Sequence, residues 1–209
     1  MPSPIAAIAP RLMPARDDAP VRRVLHFLIQ RRISISVVVF LLLVLEDMLA
    51  GIKPHDVADW HDWHSVLGLS LVVGGLALRS WAAGTLVKRF QLTTTGVYQL
   101  VRNPLYVGSL IMMVGFCQVI DDPENIFFVL GPFVAIYAIK VRDEERILSK
   151  SFGRRWQQYA QATPRFFPRR LASSMFADWT LGRWLFNREY KSLTTALAGL
   201  AALELWRLL

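Results

Sequence analysis

Cysteine is all but missing from this chain. The one residue, Cys117, sits inside an apolar run, so an intramolecular disulfide is excluded and a packing role is expected. No glycine-rich phosphate loop is present, which argues against a nucleotide polyphosphate as ligand. Nor is there a basic stripe interleaved with aromatics, so the net charge of +8 does not point to nucleic acid. A secretory signal is not expected, because Pro2, Pro4, Pro10, Pro14 and Pro20 break up the apolar positions of the first 32 residues. His55, His61 and His64 share a connector with Asp56, Asp59 and Asp62, but their spacing matches no strong zinc pattern. No metal site is expected there.

What the chain does have is apolar sequence in blocks. Hydrophobic residues make up 54%, mean hydropathy is +0.34, and there are 7 Trp. Blocks of that kind predict an all-α, polytopic membrane protein with four to five transmembrane helices. The proposed divisions are a tail and interfacial helix over 1–32, a membrane core over 33–168, and an interfacial segment with a final apolar helix over 169–209. Within the core, Ile33 to Ala50, Ser65 to Val87, Leu105 to Ile120 and Ile126 to Ile139 read as spans. The second is rich in small residues, and Gly68 to Gly74 and beyond allows close helix packing. Arg79 inside it either snorkels to the interface or faces a polar cavity between helices.

Lys140 to Ala162 reads as a charged helix with an apolar stripe of Leu148, Phe152, Trp156 and Tyr159, interrupted by Gly153. Thr163 to Pro168 ends it, and Met175 to Phe186 reads as an interfacial segment. Leu193 to Leu209 is either a fifth span or a surface helix.

Charge sets an expected orientation. Arg22, Arg23, Arg31, Arg32, Lys88, Arg89, Arg102, Lys140, Arg142, Arg146 and Lys150 fall on one side, whereas Lys53 is the lone basic residue of the two opposite connectors. Lys/Arg excess marks the cytoplasmic side. The polar connector that ends in Arg102-Asn103-Pro104-Leu105-Tyr106 and the pair Glu144-Glu145 are then both cytoplasmic, and are expected to form one site.

The chemistry of that site favours an amphoteric ligand. Carboxylates and aromatic faces attract a cationic centre, and Glu144-Glu145 are expected at a helix start. Arg102 and backbone amides suit a ligand carboxylate. A purely structural tie between Arg102 and Glu144 accounts for the same residues.

Several ordered motifs resolve the choice. Thr95-Gly96-Val97-Tyr98, Arg102-Asn103-Pro104-Leu105-Tyr106-Val107-Gly108, Glu144-Glu145, Phe152-Gly153 with Trp156 and Tyr159, and Pro164-Arg165-Phe166-Phe167-Pro168 resemble the isoprenylcysteine carboxyl methyltransferase family. The resemblance runs from about Arg79 to Pro168. It implies a polytopic S-adenosylmethionine-dependent methyltransferase with its cofactor at the cytoplasmic face and a lipidic acceptor drawn from the bilayer. It also implies cofactor contacts from Phe90, Gln91, Leu92, Thr93 and Tyr98, from Asn103, Pro104, Leu105 and Tyr106, and from Glu144, to which the chemistry of the site adds Arg102. A basic residue before the acidic pair, Lys140 or Arg142, is implied to face the acceptor carboxylate. Glu145 stands beside them as the base available if the acceptor is an amine.

One departure bears on mechanism. Asn103 stands where the family has His, so an imidazole base at this position is excluded. The expected reaction is methylation of a lipidic or amphipathic acceptor, through a carboxylate, in a bacterial cytoplasmic membrane. The competing readings are a phospholipid N-methyltransferase, an NADPH-dependent enzyme resembling the sterol reductases, and a membrane scaffold. No basic cluster is committed to NADPH phosphates.

Overall fold

The computed structural model describes residues 38, 42–87, 91–120, 123–169 and 178–209. The expected tail over 1–32 lies outside them, as do the first three residues of the segment from Met175 to Phe186. Every regular element among the described residues is helical. A helical stretch α1 covers 42–49, followed by α2 (Trp63–Thr85), α3 (Pro104–Ile120), α4 (Pro123–Phe152), α5 (Arg154–Ala162), α6 (Leu181–Phe186) and α7 (Tyr190–Leu208). Two of the described helices are long and apolar enough to cross a membrane: α2, and α4 over Asn125–Phe152.

The frame is an antiparallel hairpin of α2 and α3. Two glycines seven residues apart on each helix make the seam, Gly68 and Gly75 against Gly115 and Gly108. A Cβ on Gly75 would stand 2.5 Å from the Gly108 carbonyl oxygen, and one on Gly115 would stand 2.7 Å from that of Gly68. The backbones therefore touch, which is how apolar helices gain contact where burial from water gives nothing. Gly74, the small residue that the sequence had paired with Gly68, faces open space.

Pro104 starts α3 at a position where its missing N–H costs nothing. Asp62 starts α2 as a side-chain cap, accepting from the His64 amide at 3.0 Å and from Ser65 Oγ at 3.0 Å.

Helix α7 is fastened to the hairpin at three points along its length. At its start, buried Glu189 holds Arg79 in a two-pronged pair at 2.8 and 3.1 Å. Arg79 also donates to Ser192 Oγ at 2.8 Å, to the Leu105 carbonyl at 3.3 Å and to Ser109 Oγ. Midway, Gly199 approaches Phe116. At its end, Leu203 and Trp206 pack on Val119 and Ile120, and Arg207 pairs with Asp56 at 3.4 Å. Arg79 therefore neither snorkels nor waits in a cavity: its guanidinium is consumed in fastening α7 to the hairpin.

Two boundaries differ from the sequence reading. The span ending at Ile139 and the charged helix beginning at Lys140 are one 30-residue helix, because no glycine or proline separates them. As a result Glu144 and Glu145 sit well inside α4 rather than at a helix start. Gly153, expected only to interrupt a helix, ends it instead: its φ of +50° turns the chain from α4 into α5.

Candidate active site

A cavity of about 410 Å³ opens at the end of the hairpin where α2 finishes and α3 begins. That size suits a small-molecule cofactor. Three segments enclose it. The connector after α2 contributes Leu86, Val87, Gln91, Leu92 and Thr93, and the 3-10 turn Gly96–Gln99 contributes Tyr98. The outer half of α4 contributes Glu144, Ile147, Leu148, Ser151 and Phe152. From α5 come Trp156 and Tyr159, and Arg102 closes the floor.

The apolar stripe legible in the sequence, Leu148, Phe152, Trp156 and Tyr159, is therefore a cavity wall. The turn at Gly153 folds its two halves toward each other.

The polar groups are held by two linked networks. In the first, Glu145 is buried and accepts from Arg165 Nε at 3.0 Å and Nη2 at 2.8 Å, with Asn103 Nδ2 at 3.4 Å and Arg102 Nη1 at 3.6 Å. The segment after α5 is stitched to the same place, since the amides of Arg102 and Asn103 donate to the carbonyls of Pro164 and Arg165 at 2.8 and 3.2 Å. In the second, Glu144 accepts from Tyr106 Oη at 2.9 Å and pairs with Lys140 at 3.6 Å, one turn back on α4. Tyr106 in turn lies edge-on to Tyr137 at 4.6 Å. Tyr159 Oη donates to the Tyr98 carbonyl at 2.8 Å, tying α5 to the 3-10 turn.

Arg102 joins the networks to the cavity. Its guanidinium carbon lies 5.7 Å from the Trp156 ring centre, within cation–π reach, while Nη1 faces Glu145. Its Nε is buried with no hydrogen-bond partner, although the residue lines the cavity. A buried guanidinium N–H left unmet is costly and asks for an acceptor. Glu144 lies on the same cavity, so the floor offers a cation for a ligand carboxylate and a carboxylate for a ligand cation.

Burial pushes the Tyr98 hydroxyl well above its ordinary value, with the nearby Tyr159 and Glu144 adding to the effect. Tyr159 is raised as well, by burial, with Arg102 opposing the shift and Glu145 adding to it. Both phenols are protonated at neutral pH, and that of Tyr159 is the donor to the Tyr98 carbonyl.

Of the residues expected from sequence, Gln91, Leu92, Thr93, Tyr98, Arg102 and Glu144 line the cavity. Asn103 and Pro104 are buried behind it, and Leu105 and Tyr106 stand on the first turn of α3. Phe90 lies outside the described residues. Lys140 reaches Glu144, whereas Arg142 is exposed. Arg165, Ile147 and Ser151 carry parts that sequence reasoning did not assign. Only Arg165, within its Pro-Arg motif, left a signal.

At the opposite end of the hairpin, His55 Nδ1 lies 2.5 Å from Asp62 Oδ2, and its ring stacks on His64 at 4.7 Å. His64 Nδ1 sits 2.6 Å from Gln118 Nε2. Among the described residues no group of three or more His, Cys, Asp or Glu is arranged to hold a metal ion.

A phospholipid methyltransferase family model matches residues 63–155, which contain the seam, the connector and most of the cavity wall. The chain is similar to the cobalt-zinc-cadmium resistance protein CzcN of Cupriavidus metallidurans, 31% identical over 170 residues, 78% of this chain and 76% of that protein. It is 32% identical to the nickel-cobalt-cadmium resistance protein NccN of Alcaligenes xylosoxydans xylosoxydans over 150 residues, 68% of this chain and 67% of the relative. Protein-S-isoprenylcysteine O-methyltransferase B of Arabidopsis thaliana is 32% identical over 130 residues, 56% of this chain and 63% of its own length. No solved structure matches the chain. With its motifs gathered around one cavity and relatives of this kind over most of its length, the chain belongs to the isoprenylcysteine carboxyl methyltransferase-like family and is a methyltransferase.

Proposed function

We propose that this enzyme methylates a carboxylate of a lipidic or amphipathic acceptor, with S-adenosylmethionine bound in the 410 Å³ cavity. The observation that carries the reading is the cavity lining, where Arg102 and Glu144, opposite in charge, stand among aromatic walls. Arg102 fits the amino-acid carboxylate of such a cofactor. Glu144, Tyr98 and Trp156 fit its cationic and aromatic parts, and Gln91 to Thr93 form the rim. The cofactor supplies a methyl group on a sulfonium, reactive toward an ionised oxygen.

The protein's task is then positioning. A carboxylate is already ionised at neutral pH, so its methylation asks for no general base. The site agrees with that economy, because Glu145 is fully engaged by Arg165, Asn103 and Arg102 and lies off the cavity. An amine acceptor, which the description of the matched family model brings to mind, would need a free base. Of the two basic residues, we assign orientation of the acceptor to Lys140, supported by its pairing with Glu144, rather than to exposed Arg142. Orientation and exclusion of water by the apolar wall supply the remaining catalysis.

We take α2, α3, α4 and α7 as crossings, of which α2 and α4 are long and apolar enough by themselves. Helix α7 is fastened to opposite ends of the hairpin at Arg79 and Asp56, and its 19 residues extend about 28 Å, close to a bilayer core. In this reading the cavity faces the cytoplasmic side of a bacterial membrane, and the Lys/Arg excess of the connectors beside it supports that orientation.

Calorimetric titration of the detergent-purified protein with S-adenosylhomocysteine tests the reading. Micromolar binding is expected, and is lost in Glu144→Gln and Arg102→Ala. A folded wild-type protein that does not bind overturns the cofactor assignment. A product lipid one methyl heavier at nitrogen rather than at a carboxyl overturns the acceptor assignment.

A further inference from the structure

The cavity's first wall has almost no regular structure of its own. Residues 86–95 follow α2 without forming a helix or strand among the described positions, yet Leu86, Val87, Gln91, Leu92 and Thr93 all line the cavity. A loop wall holds its shape only as well as its ends are tied. One tie is internal, Val87 N–H to Thr93 Oγ1 at 3.0 Å.

The other comes from far along the chain. Asn187, just after α6, donates through Nδ2 to the carbonyls of both Ala83 at 2.7 Å and Leu86 at 3.0 Å. Those oxygens belong to the last turn and cap of α2, where a helix leaves its carbonyls without partners. Nearby, Thr180 N–H donates to the Gly84 carbonyl at 2.9 Å and Trp179 Nε1 to the Ser80 carbonyl at 3.1 Å. The Trp179 ring lies so close over Gly84 that a Cβ there would stand 2.0 Å from Nε1.

We infer that Asn187 is a positioning residue of the cofactor site, fixing the wall at Leu86 and Val87 from a C-terminal segment outside the matched family core of residues 63–155. Its amide suits the task because one nitrogen carries two hydrogens and can meet two carbonyls at once. The neighbouring pair of Arg79 and Glu189 fastens the same segment to the hairpin through Leu105, Ser109 and Ser192, none of which lines the cavity. Fastening and positioning are thus separate jobs in adjacent residues.

The inference rests on the cofactor reading above, and the experiment keeps the two apart. Full-length wild-type protein, Asn187→Ala, Asn187→Ser and Ser192→Ala are titrated with S-adenosylhomocysteine well below their unfolding temperatures. Hydrogen exchange is followed at residues 86–95 without ligand. Expected are affinity about tenfold weaker in Asn187→Ala, faster exchange of the 86–95 amides, and wild-type affinity in Ser192→Ala, whose hydroxyl meets Arg79 alone. Asn187→Ser keeps one shorter donor and should fall between, deciding the matter should the alanine variant not fold. Unchanged affinity and exchange in the Asn187 variants overturn the inference while leaving the cofactor reading intact. A wild-type protein that ignores S-adenosylhomocysteine overturns the cofactor reading, and the exchange measurement still decides whether Asn187 holds the wall.

Discussion

The seam between α2 and α3 and the clasp around Glu145 hold the same molecule together by opposite means. At the seam, side chains are removed: glycines let backbone meet backbone, and the one charged residue there, Arg79, lays only the stem of its side chain against Gly108. At the clasp, a buried carboxylate gathers three groups from two places in the chain, Arg102 and Asn103 beside α3, and Arg165 after α5. A seam of this kind tolerates no added volume, but it is indifferent to pH and salt. A clasp tolerates small changes of shape, but fails when one charge is taken from it. The contrast fits their tasks, since the first must persist within an apolar solvent and the second must shape a polar cavity.

Substitution at the seam should be the most damaging. Gly75→Ala places a methyl 2.5 Å from the Gly108 carbonyl and 2.6 Å from the Met112 nitrogen, both backbone atoms that cannot turn aside. We expect a loss of about 3 kcal/mol or no folded protein at all. Gly74→Ala, one residue away and facing open space, should be neutral. Thermal unfolding of the pair in detergent checks this, and equal stability would break the contrast.

At the clasp, Glu145→Gln should cost about 2 kcal/mol, less than a fully buried pair because water reaches Arg165. Glu144→Gln should leave stability nearly unchanged while weakening S-adenosylhomocysteine. If Glu145→Gln spared stability and removed only turnover, Glu145 would be a base rather than a strut.

A smaller effect is expected from Tyr106→Phe, which takes one hydrogen bond from Glu144. Ligand affinity should fall about fivefold, in line with about 1 kcal/mol for one such bond. A wild-type isotherm would show that Tyr106 does not orient Glu144.

The smallest signal is a pH dependence. Tyr98 and Tyr159 are raised above 10.0 in the fold, so native and unfolded protein bind the same protons below that pH. Above it the unfolded phenols ionise first, and their contribution to stability is lost as pH rises. Ultraviolet titration should show two tyrosines that ionise only on unfolding. Five phenols titrating together in folded protein would contradict their burial.

Much of this was legible in the residues. The runs located α2, α3 and α7 to within a few positions, because apolar length is a local property. The cofactor-side motifs were legible through family resemblance, and six of their residues do line one cavity. The end of α4 was misread for a physical reason. Hydropathy changes at Lys140, yet helix hydrogen bonding does not, so a change of solvent was taken for a change of structure. The role of Glu145 was also hidden. Its position beside Glu144 implied a shared function, but neighbours in a helix point about 100° apart, so one faces the cavity and the other the clasp.

The amino-acid sequence by itself determined the helical class, the blocks of apolar sequence and the clustering of basic residues beside them. Those follow from composition and order alone. Tertiary structure was needed to choose Gly75 over Gly74, to spend Arg79 on Glu189, to separate the tasks of Glu144 and Glu145, and to bring Asn187 to the end of α2. Each of these choices depends on which face of a helix meets which partner, often a hundred residues away. Such pairings are set by packing of the whole chain, and no local pattern carries them.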